Sequence, residues 1–388
     1  MRVAVVGGGA VGLTAAYDLA ARDIDVTLFE RGEYDAARSD ASATPADGSS
    51  ARAAGVLYDA YAEDIDAEIG GRALERFREF SGDDGFEFRQ CPYVMVAREG
   101  DEAAADAMAT SVERMRVHGR EVSVVDPEEL GDRFPLRTDD MLAAAVAENA
   151  GWTDPASYVS AMAAKARHAG VAFETGRSVG LSVDPPGVVD SGGRRTERRD
   201  DGATREFDAV LVATGAQTKR LFAEAGVAVP MKPYRVQALT GREAYDGPMV
   251  YDATAGVYFR PHPIGVLAGD GTVPVEANLD EWNRDADDWF VDDIRAALTE
   301  RADYDLDVAQ AWAGLCAATP DGDPLLGELR EGVFVAAGWQ GHGFMRAPAT
   351  GEAIAKQILG EDGGIASFDP RRFSGDETFE VREGMALD

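Results

Sequence analysis

The sequence predicts an α/β protein, α+β overall, in which a doubly wound parallel-sheet domain is interrupted by an inserted antiparallel-sheet domain. The chain opens with a strand, helix and strand pattern at residues 2–30, and buried strand patterns return at 207–213 and 333–337. A strand-rich stretch at 234–267 separates these returns. Because 388 residues exceed what one hydrophobic core usually organises, we expect two domains.

The first βαβ unit is the clearest local pattern. Arg2 to Val6 and Asp25 to Glu30 are apolar runs typical of buried strands, and Ala10 to Arg22 is a helix pattern with small residues on one side. The small and polar residues from Gly32 to Ser50 predict an exposed loop.

Further elements are predicted along the chain. They are a helix at about 71–80, a strand at 87–97, a helix at 101–118, a helix at 156–168 opened by Asp154 and Pro155, a strand at 171–174, a polar hairpin tip at 191–205 and a last helix at 347–359. We therefore predict a discontinuous first domain of residues 1–85, 146–231 and 312–388. The second domain is predicted to comprise residues 86–145 and 232–311.

The charge pattern argues against two classes of partner. The net charge is −32, which would repel nucleic acid and anionic membrane surfaces over most of the molecule. Only 4 of the 38 basic residues are lysines, a bias that resembles the proteins of salt-accumulating halophiles. An acidic mesophilic enzyme is the alternative.

Cysteine use and hydropathy favour a cytoplasmic protein. Cys91 and Cys316 form no CxxC pair, which predicts neither a metal site nor a disulfide framework. The chain opens on a strand pattern instead of a signal peptide, and apolar runs such as 141–147 are too short to span a bilayer.

The strongest motif is Gly7-Gly8-Gly9-Ala10-Val11-Gly12, which fits G-x-G-x-x-G between the first strand and the first helix. Gly7 permits a tight turn, Gly9 lets a pyrophosphate approach the backbone, and Gly12 lets the helix sit close to the sheet. Glu30 ends the second strand, where a carboxylate accepts hydrogen bonds from ribose hydroxyls and disfavours NADP. The motif predicts a Rossmann-like site for FAD or NAD, with a glycine turn that binds nothing as the alternative.

Further motifs follow in a fixed order. They are Ser49 to Gly55, Gly151 to Pro155, Val210 to Ala216, Pro233 to Gln237, Trp312 to Leu315, Thr319 to Pro324 and Gly338 to Pro348. Together with the opening unit, this series resembles the D-amino-acid oxidase superfamily of flavoproteins, in particular its glycine oxidase, sarcosine oxidase and sarcosine oxidase β-subunit branches. The resemblance implies a Rossmann-like FAD-binding domain with an inserted antiparallel-sheet substrate domain.

The resemblance also implies a reaction. A small amine or amino acid would lose a hydride from its C–N carbon to flavin N5, and water would hydrolyse the resulting imine. Oxygen or another electron acceptor would reoxidise the flavin, and the lysine that helps to activate oxygen in sarcosine oxidases has no counterpart in Gly265 to Gly269. A dehydrogenase subunit that passes electrons to a partner and a flavin-binding protein without catalysis are the alternatives. The oligomeric state is left open.

FAD is expected to be held noncovalently. Gly314 occupies the position of the cysteine that links flavin in monomeric sarcosine oxidases, and Cys316 is displaced from it by two places. The predicted FAD-binding residues are Gly7, Gly9, Ala10, Val11, Gly12, Glu30, Arg31, Ser49, Ser50, Arg52, Ala53, Ala54, Gly55, Val179, Ala213, Thr214, Gly215, Gly338, Gly341, His342, Gly343, Phe344 and Met345.

The stretch from Gly338 to Met345 precedes the helix expected at Ala347. Its N–H groups and the helix dipole can therefore face the negative charge of reduced flavin and stabilise it as it develops. His342 either takes a direct part in this site or packs at a tight turn.

The substrate site departs from the family pattern. Glycine oxidase and D-amino-acid oxidase bind the substrate carboxylate with the arginine of a G-x-R-P motif, whereas this chain reads Gly314-Leu315-Cys316-Ala317. Arg52, Arg260 and Arg346 are the candidate replacements, with Arg52 favoured because sarcosine oxidases place a substrate-binding arginine in this loop; each is otherwise a surface arginine. Tyr258 resembles the pocket tyrosine of glycine oxidase, with a half-buried strand tyrosine as the alternative. The predicted residues of the reaction site are thus Arg52, Tyr258, Arg260, His342 and Arg346.

Overall fold

The computed structural model describes residues 1–33, 48–190, 204–361 and 364–382. Its helices are α1 (Ala10–Ala20), α2 (Asp64–Phe80), α3 (Glu102–Val117), α4 (Pro127–Arg133), α5 (Pro155–His168), α6 (Thr218–Glu224), α7 (Asp288–Ala302) and α8 (Gly343–Ile358). Its strands are β1 (Arg2–Val6), β2 (Asp25–Phe29), β3 (Val56–Tyr58), β4 (Arg89–Gln90), β5 (Tyr93–Arg98), β6 (Val122–Val125), β7 (Met141–Ala147), β8 (Ala150–Trp152), β9 (Ala172–Glu174), β10 (Val179–Val183), β11 (Pro186–Asp190), β12 (Thr204–Glu206), β13 (Ala209–Val212), β14 (Lys232–Gly241), β15 (Met249–Asp252), β16 (Val257–His262), β17 (Gly265–Gly269), β18 (Val273–Glu276), β19 (Val308–Ala318), β20 (Leu325–Arg330) and β21 (Val333–Ala337).

A six-stranded sheet forms the centre of the first part of the fold. Its order is β20-β21-β13-β1-β2-β9, and only the β20–β21 pair is antiparallel. Val3 and Val5 of β1 pack with α1, α2, α5 and α8, while Ala4 and Val6 face the opposite side, where β10, β11 and α6 contribute to a second cluster. Because both faces are covered, β1 is a continuous apolar run without alternation of polar residues.

A nine-stranded sheet forms the second part. Its order is β18-β14-β17-β16-β15-β5-β7-β6, with β19 paired to β14; the β15–β5 pair is parallel and the other pairs are antiparallel. Val94 and Val96 of β5 pack towards α7, and the alternating Tyr93 and Met95 pack towards α3. β5 thus alternates with period two, so that the two valines lie on one face of the sheet and Tyr93 and Met95 lie on the other.

The predicted fold class is confirmed: a parallel sheet with a Rossmann-like first βαβ unit is combined with a mainly antiparallel second sheet. The domain boundaries stay a prediction, and two of them fall inside strands. Residue 312 lies in β19 and residue 146 lies in β7, and both strands belong to the nine-stranded sheet. A small sheet of order β3-β8-β4 lies beside these two sheets.

Two predicted helix starts are wrong. α2 begins at Asp64 instead of near residue 71. Gly70 and Gly71 lower helix propensity, but a Cβ on Gly70 would lie 2.9 Å from a ring carbon of Tyr61, so close packing requires this glycine inside the helix. α8 begins at Gly343 instead of Ala347 and carries Pro348 in its interior.

Two predicted loops are only partly described. Of the loop predicted at 32–50, residues 34–47 lie outside the described residues, and Ser49–Arg52 forms a 3₁₀ turn. Of the hairpin tip predicted at 191–205, residues 191–203 lie outside them, and the flanking strands β11 and β12 pair antiparallel. Within the described ranges, no helix combines the length and apolarity needed to cross a membrane.

Candidate active site

The glycine motif forms a tight turn between β1 and α1. Gly7 has a φ of +107°, and a Cβ there would lie 2.4 Å from the carbonyl oxygen of Ala213. A Cβ on Gly12 would lie 2.0 Å from the carbonyl oxygen of Gly7. The turn therefore needs glycine at both positions, and their absent side chains let α1 approach the ends of β1 and β13.

The 3₁₀ turn Ser49–Arg52 lies against the N-terminus of α1. The Oγ atom of Ser50 accepts a hydrogen bond from the backbone N–H of Ala10 at 3.0 Å. A Cβ on Gly9 would lie 2.9 Å from this same oxygen, so glycine leaves room for it. On the other side, the hydroxyl of Ser49 donates to the carbonyl oxygen of Leu315 in β19 at 2.5 Å. This turn therefore contacts the α1 N-terminus and the nine-stranded sheet at once.

Glu30 follows β2 and faces the glycine turn. Its Oε2 atom accepts a hydrogen bond from the N–H of Gly8 at 2.8 Å, and its Oε1 atom accepts one from the N–H of Gly32 at 2.8 Å. An ionised carboxylate offers about four acceptor positions, so about two remain for ribose hydroxyls. Arg31, beside it, is exposed.

The carboxyl end of β13 meets the same turn. Ala213 follows the strand, and the hydroxyls of Thr214 and Thr218, which flank the 3₁₀ turn Gly215–Gln217, lie 3.0 Å apart. Val179, at the start of β10, packs against the cluster that contains Val6 and Phe29. These residues surround the carboxyl edge of the six-stranded sheet, where doubly wound folds bind nucleotides.

The glycine-rich turn after β21 leads into α8. Gly338 and Gly341 have φ values of +83° and +90°, and the N–H of Gln340 donates to the carbonyl oxygen of Ala317 in β19 at 3.1 Å. The helix begins at Gly343, so Phe344 and Met345 lie in its first turn. The positive end of the α8 dipole therefore faces the turn from Trp339 to His342.

Phe344 is packed inward from this first turn. Its ring centroid lies 5.6 Å from that of Phe77 and 5.5 Å from that of Tyr158. This core contact holds the first turn of α8 against α2 and α5, which explains why the helix starts before Pro348.

Taken together, the glycine turn, the Ser49–Arg52 turn and the Glu30 carboxylate fit a dinucleotide such as FAD. A side chain on Gly9 would intrude on the α1 N-terminus, the place where doubly wound folds bind a pyrophosphate, and the acceptor atoms of Glu30 suit ribose hydroxyls.

A cavity of about 420 Å³, here called the tyrosine cavity, opens beside α8. Its walls include Tyr58 of β3, Tyr61, Tyr93 of β5 and Tyr251 of β15. The rings of Tyr58 and Tyr93 are stacked at 4.5 Å, and that of Tyr61 lies 5.1 Å from Tyr58. Burial raises the pKa values of Tyr58, Tyr61 and Tyr93, which keeps their hydroxyls protonated.

Arg346 and Asp66 form an ion pair at this cavity. The Nη1 atom of Arg346 lies 2.8 Å from Oδ1 of Asp66, and the two side chains are 6% and 15% exposed. The guanidinium carbon of Arg346 lies 4.7 Å from the ring centroid of Tyr61, a cation–π contact. Burial raises the pKa of the Asp66 carboxyl, although the charge of Arg346 opposes this effect.

The other two candidate arginines are engaged with the backbone. Arg260 is 1% exposed and donates to the carbonyl oxygens of Ala54 at 2.5 Å, Pro261 at 2.6 Å and Thr153 at 3.3 Å. Burial lowers the pKa of its guanidinium to about 10. Arg52 donates to the carbonyl oxygen of Ala313 at 3.4 Å. Of the three predicted arginines, Arg346 borders the tyrosine cavity.

Tyr258 and Cys316 lie on the nine-stranded sheet. Tyr258 is half-buried, and a Cβ on Gly269 would lie 2.3 Å from its hydroxyl oxygen. Cys316, at the position of the absent family arginine, pairs in register with Tyr234, and burial raises the pKa of its thiol to about 12. The thiol is therefore protonated and uncharged at neutral pH.

Sequence reasoning missed several residues that line the tyrosine cavity. These are Tyr58, Tyr61, Asp66, Tyr93, Tyr251 and Gln340. Tyr58, Tyr93 and Tyr251 have the pattern of ordinary buried strand residues, and Asp66 has that of one more acid near the start of a helix. A predicted start of α2 at Asp64 would have placed Asp66 in the first turn of the helix. No local sequence signal, however, pairs Asp66 with Arg346.

His342 lies between the glycine-rich turn and the tyrosine cavity. Its ring meets that of Tyr61 edge to face, with centroids 5.9 Å apart. Burial and the nearby charge of Arg346 lower the pKa of its imidazole to about 3. His342 is therefore neutral in the folded protein at neutral pH.

This low pKa predicts a loss of stability in acid. The unfolded state protonates His342 below about pH 6.5, whereas the folded state does not until about pH 3, so the free energy of unfolding falls as the pH decreases through this window. The histidine should contribute a loss of about 2 kcal/mol between about pH 7.5 and pH 5. Urea unfolding of wild type and His342→Gln across this range measures it, and His168→Gln, a change at an exposed helix end, is the control. Parallel pH profiles for wild type and His342→Gln would contradict the assignment.

Comparison with known proteins agrees with this arrangement. The model of the DAO family, described as FAD dependent oxidoreductase, matches residues 2–357. The chain is 29% identical over 329 residues to FAD-dependent oxidoreductase domain-containing protein 1 of Xenopus laevis, covering 74% of this chain and 64% of that protein. It therefore spans less than two thirds of the length of that relative.

Two further relatives match along most of their length. The chain is 27% identical over 383 residues to glycine oxidase of Geobacillus kaustophilus (strain HTA426), covering 92% of each protein. Its fold superposes on that of L-proline dehydrogenase from P. horikoshii with a TM-score of 0.80 and 25% sequence identity, covering 97% of this chain and 98% of that one.

Proposed function

The chain belongs to the DAO family of FAD-dependent oxidoreductases, and on this premise we propose that it oxidises the C–N bond of a small amine or amino acid. One observation carries the proposal. Gln340, His342 and Arg346 border the tyrosine cavity, and all three belong to the glycine-rich turn and first helical turn beside the predicted FAD site. A molecule in this cavity would lie next to the cofactor.

FAD, when bound, supplies a two-electron acceptor at flavin N5. The residues of this chain supply the environment. The positive end of α8 would favour negative charge on the reduced cofactor, and the buried tyrosines would exclude water from the substrate. Because His342 is neutral, it adds no positive charge that would repel an amine.

The relatives support both possible electron acceptors. One is named an oxidase and another a dehydrogenase. β17, which corresponds to the region of the oxygen-activating lysine in sarcosine oxidases, reads Gly-Val-Leu-Ala-Gly and carries no cation. This observation favours, as the second candidate function, a dehydrogenase that delivers electrons to an acceptor other than oxygen.

An anaerobic screen tests the proposed function. Small amines and both enantiomers of the amino acids would be added to the purified holoenzyme, and a substrate should bleach the flavin absorbance. Repeating the reaction in air measures hydrogen peroxide. A stoichiometric yield indicates an oxidase, and bleaching without peroxide indicates a dehydrogenase. If no amine or amino acid bleaches the flavin, the proposed function is wrong and the protein binds flavin without catalysing this reaction.

The mode of FAD attachment gives a separate prediction. Gly314 cannot form a thioether, and the pKa of about 12 at Cys316 keeps this thiol protonated and weakly nucleophilic. Acid precipitation should therefore release the yellow colour into the supernatant. Colour retained in the protein pellet would contradict noncovalent binding.

The candidate arginines give another prediction, which applies if the substrate is an amino acid. Its buried carboxylate needs a cationic partner, because an unpaired buried charge is strongly unfavourable. Replacing the true partner by methionine should weaken binding by roughly 2–5 kcal/mol, which raises the apparent KM about thirtyfold or more. We expect this effect for Arg346→Met with the flavin spectrum unchanged.

The other arginines separate binding from folding. Arg260→Met should lower the melting temperature, because three backbone carbonyl oxygens would lose their donor. Arg295→Met, at an exposed position of α7, should change neither quantity. Unchanged KM values for the Arg52, Arg260 and Arg346 variants would contradict carboxylate recognition and favour a neutral or cationic amine.

A further inference from the structure

The last described residues of the chain run along the wall of the tyrosine cavity. Residues 374–382, here called the C-terminal strap, follow the 3₁₀ turn Pro370–Arg372, and Glu380 and Arg382 of the strap line the cavity. Within the described part of the chain, the strap belongs to no helix and pairs with no strand. Because no ladder of backbone hydrogen bonds holds it, its individual contacts decide whether it stays in place.

The start of the strap is firmly attached. Just before it, Nε of Arg372 donates to Oδ2 of Asp321 at 2.8 Å, and Nη2 donates to Oδ1 at 2.9 Å. In the strap itself, the carboxylate of Glu377 accepts from the backbone N–H of Ser374 at 2.6 Å. A bidentate arginine–carboxylate pair fixes both position and direction, so this end serves as the attachment point.

Beyond this point, the side chains of the strap alternate between inward and outward positions. Phe379 is partly buried and Val381 is 7% exposed, whereas Glu380 and Arg382 are exposed. Val381 packs in one apolar cluster with Tyr234 of β14. A period of two is that of an extended chain, so the strap lies with one apolar face against the protein.

Two hydrogen bonds fasten the far end of the strap through its backbone. The ammonium of Lys232 donates to the carbonyl oxygen of Phe379 and lies 4.8 Å from the centroid of its ring. The Nε2 atom of Gln340 donates to the carbonyl oxygen of Arg382 at 2.5 Å, a contact here called the latch. The backbone N–H of Gln340 in turn donates to the carbonyl oxygen of Ala317 at 3.1 Å. The glycine-rich turn beside the predicted FAD site thus holds the end of the strap.

These contacts are few for the length of chain that they order. Each residue of the strap loses backbone freedom when it is in place, and this cost opposes its attachment. Segments with few buried apolar contacts and no ladder open at a small part of the free energy of global unfolding. The strap can therefore detach from its far end while the two large sheets stay folded.

We propose that the C-terminal strap closes the tyrosine cavity, and that release of Val381 and of the latch opens the cavity to solutes. Glu380 and Arg382 form part of the cavity wall, so detachment of the strap removes that part. Gln340 acts as a positioning residue, because it fixes the strap through a backbone oxygen. The inference goes beyond the proposed function, since it concerns access to the cavity and does not depend on which molecule reduces the flavin.

Tryptic cleavage after Arg382 reports detachment of the strap. The carbonyl that the protease attacks is the one that Gln340 holds, so cleavage follows the population of the detached state. Release of residues 383–388 from the holoenzyme would be measured by mass spectrometry. Val381→Ser should speed this release about tenfold or more, because it removes a buried apolar side chain. The melting temperature should stay nearly unchanged, because the strap detaches before the sheets unfold.

The latch is tested by variants that leave the strap itself intact. Gln340→Glu removes the amide donor at nearly constant shape and should speed the release about fivefold. Lys232→Met, at a residue outside the cavity walls, should have a similar effect and decides the point if Gln340→Glu fails to retain FAD. Val275→Ser, at a valine that is 65% exposed, is the control and should match wild type.

Nitration by tetranitromethane measures access to the cavity. The reagent nitrates tyrosine rings, and Tyr58, Tyr61, Tyr93 and Tyr251 line the cavity. Peptide mapping should show these rings nitrated about fivefold faster in Val381→Ser than in wild type, in proportion to the detached population. Tyr17, which packs on Phe80 away from the cavity walls, is the internal control and should react equally in both proteins.

Each outcome decides the inference without a substrate. Faster cleavage together with faster nitration of the cavity tyrosines, at an unchanged melting temperature, would support it. Wild-type cleavage as fast as that of Val381→Ser would show that the strap is not held. Faster cleavage with unchanged nitration would show a docked tail that does not close the cavity. Both of these results would overturn the inference and leave C–N oxidation standing, and a flavin that no amine bleaches would contradict the reaction and leave the strap standing.

Discussion

Gly12→Ala should give a protein that retains little FAD and unfolds well below the wild-type temperature. The added Cβ would lie 2.0 Å from the carbonyl oxygen of Gly7, a backbone atom that cannot move without opening the turn between β1 and α1. Overpacking of this kind costs about 1–3 kcal/mol or more, and α1 would shift away from the pyrophosphate position. The ratio of flavin to protein absorbance after purification and the melting temperature measure the two effects.

Gly48→Ala is the matched control for this change. Gly48 immediately precedes the Ser49–Arg52 turn, its backbone is extended, and a Cβ there would meet no atom of the described residues within 4 Å. This variant should bind FAD as wild type does. A Gly12→Ala protein that is equally yellow and equally stable would show that the turn is not the cofactor-binding element that its geometry indicates.

Stability should also rise steeply with salt. The chain carries 70 acidic and 38 basic residues, and a net charge of −32 opposes the compact state through self-repulsion. The Debye length falls from about 30 Å at 0.01 M salt to about 3 Å at 1 M, which screens this repulsion. We therefore expect the melting temperature to increase with KCl concentration from low to molar values.

Sucrose separates charge screening from a general effect of solutes. Sucrose favours the folded state by exclusion from the protein surface without screening charge. Adding sucrose instead of KCl at low concentrations should therefore raise the melting temperature much less than KCl does. Screening also weakens exposed ion pairs such as that between Arg242 and Asp307, which are worth about 0–1 kcal/mol each. A melting temperature that is flat or falls with KCl would contradict the halophilic interpretation.

The parts of the site that could be predicted are those whose chemistry is local in sequence. Gly7 and Gly12 are required by the backbone of one turn, Gly9 leaves room at the start of α1, and Glu30 is placed by the strand that precedes it. Each signal is complete within about thirty residues, as expected for a βαβ nucleotide fingerprint. The same holds for β5, whose apolar residues Tyr93 to Val96 indicate burial without indicating what each residue faces.

The tyrosine cavity could not be predicted because its parts meet only in the folded chain. Tyr58, Tyr93 and Tyr251 come from three strands, and Asp66 meets Arg346 across two helices. In the sequence, a tyrosine of a buried strand has the same pattern whether it lines a cavity or fills a core in the folded protein.

Arg260 illustrates the opposite difficulty. An arginine beside a pocket tyrosine suggested a carboxylate ligand, but the folded chain uses its guanidinium to bind three backbone carbonyl oxygens. Sequence supplies the donor and cannot identify the acceptor. The early start of α8 has a similar origin, because the aromatic contacts of Phe344 outweigh the usual position of proline in the first turn.

The central claim, oxidation of a C–N bond by the bound flavin, is tested most directly by product analysis of a single anaerobic turnover. Holoenzyme would be mixed with a bleaching substrate in the absence of oxygen, and the products would be quantified against the flavin reduced. For an acyclic substrate we expect equal amounts of reduced flavin, carbonyl product and released ammonia or alkylamine, and for a cyclic amine we expect equal amounts of reduced flavin and cyclic imine or its ring-opened amino carbonyl form. Bleaching by alcohols or hydroxy acids with no amine as substrate, or flavin reduction without formation of an imine or carbonyl product from the amine, would contradict this claim.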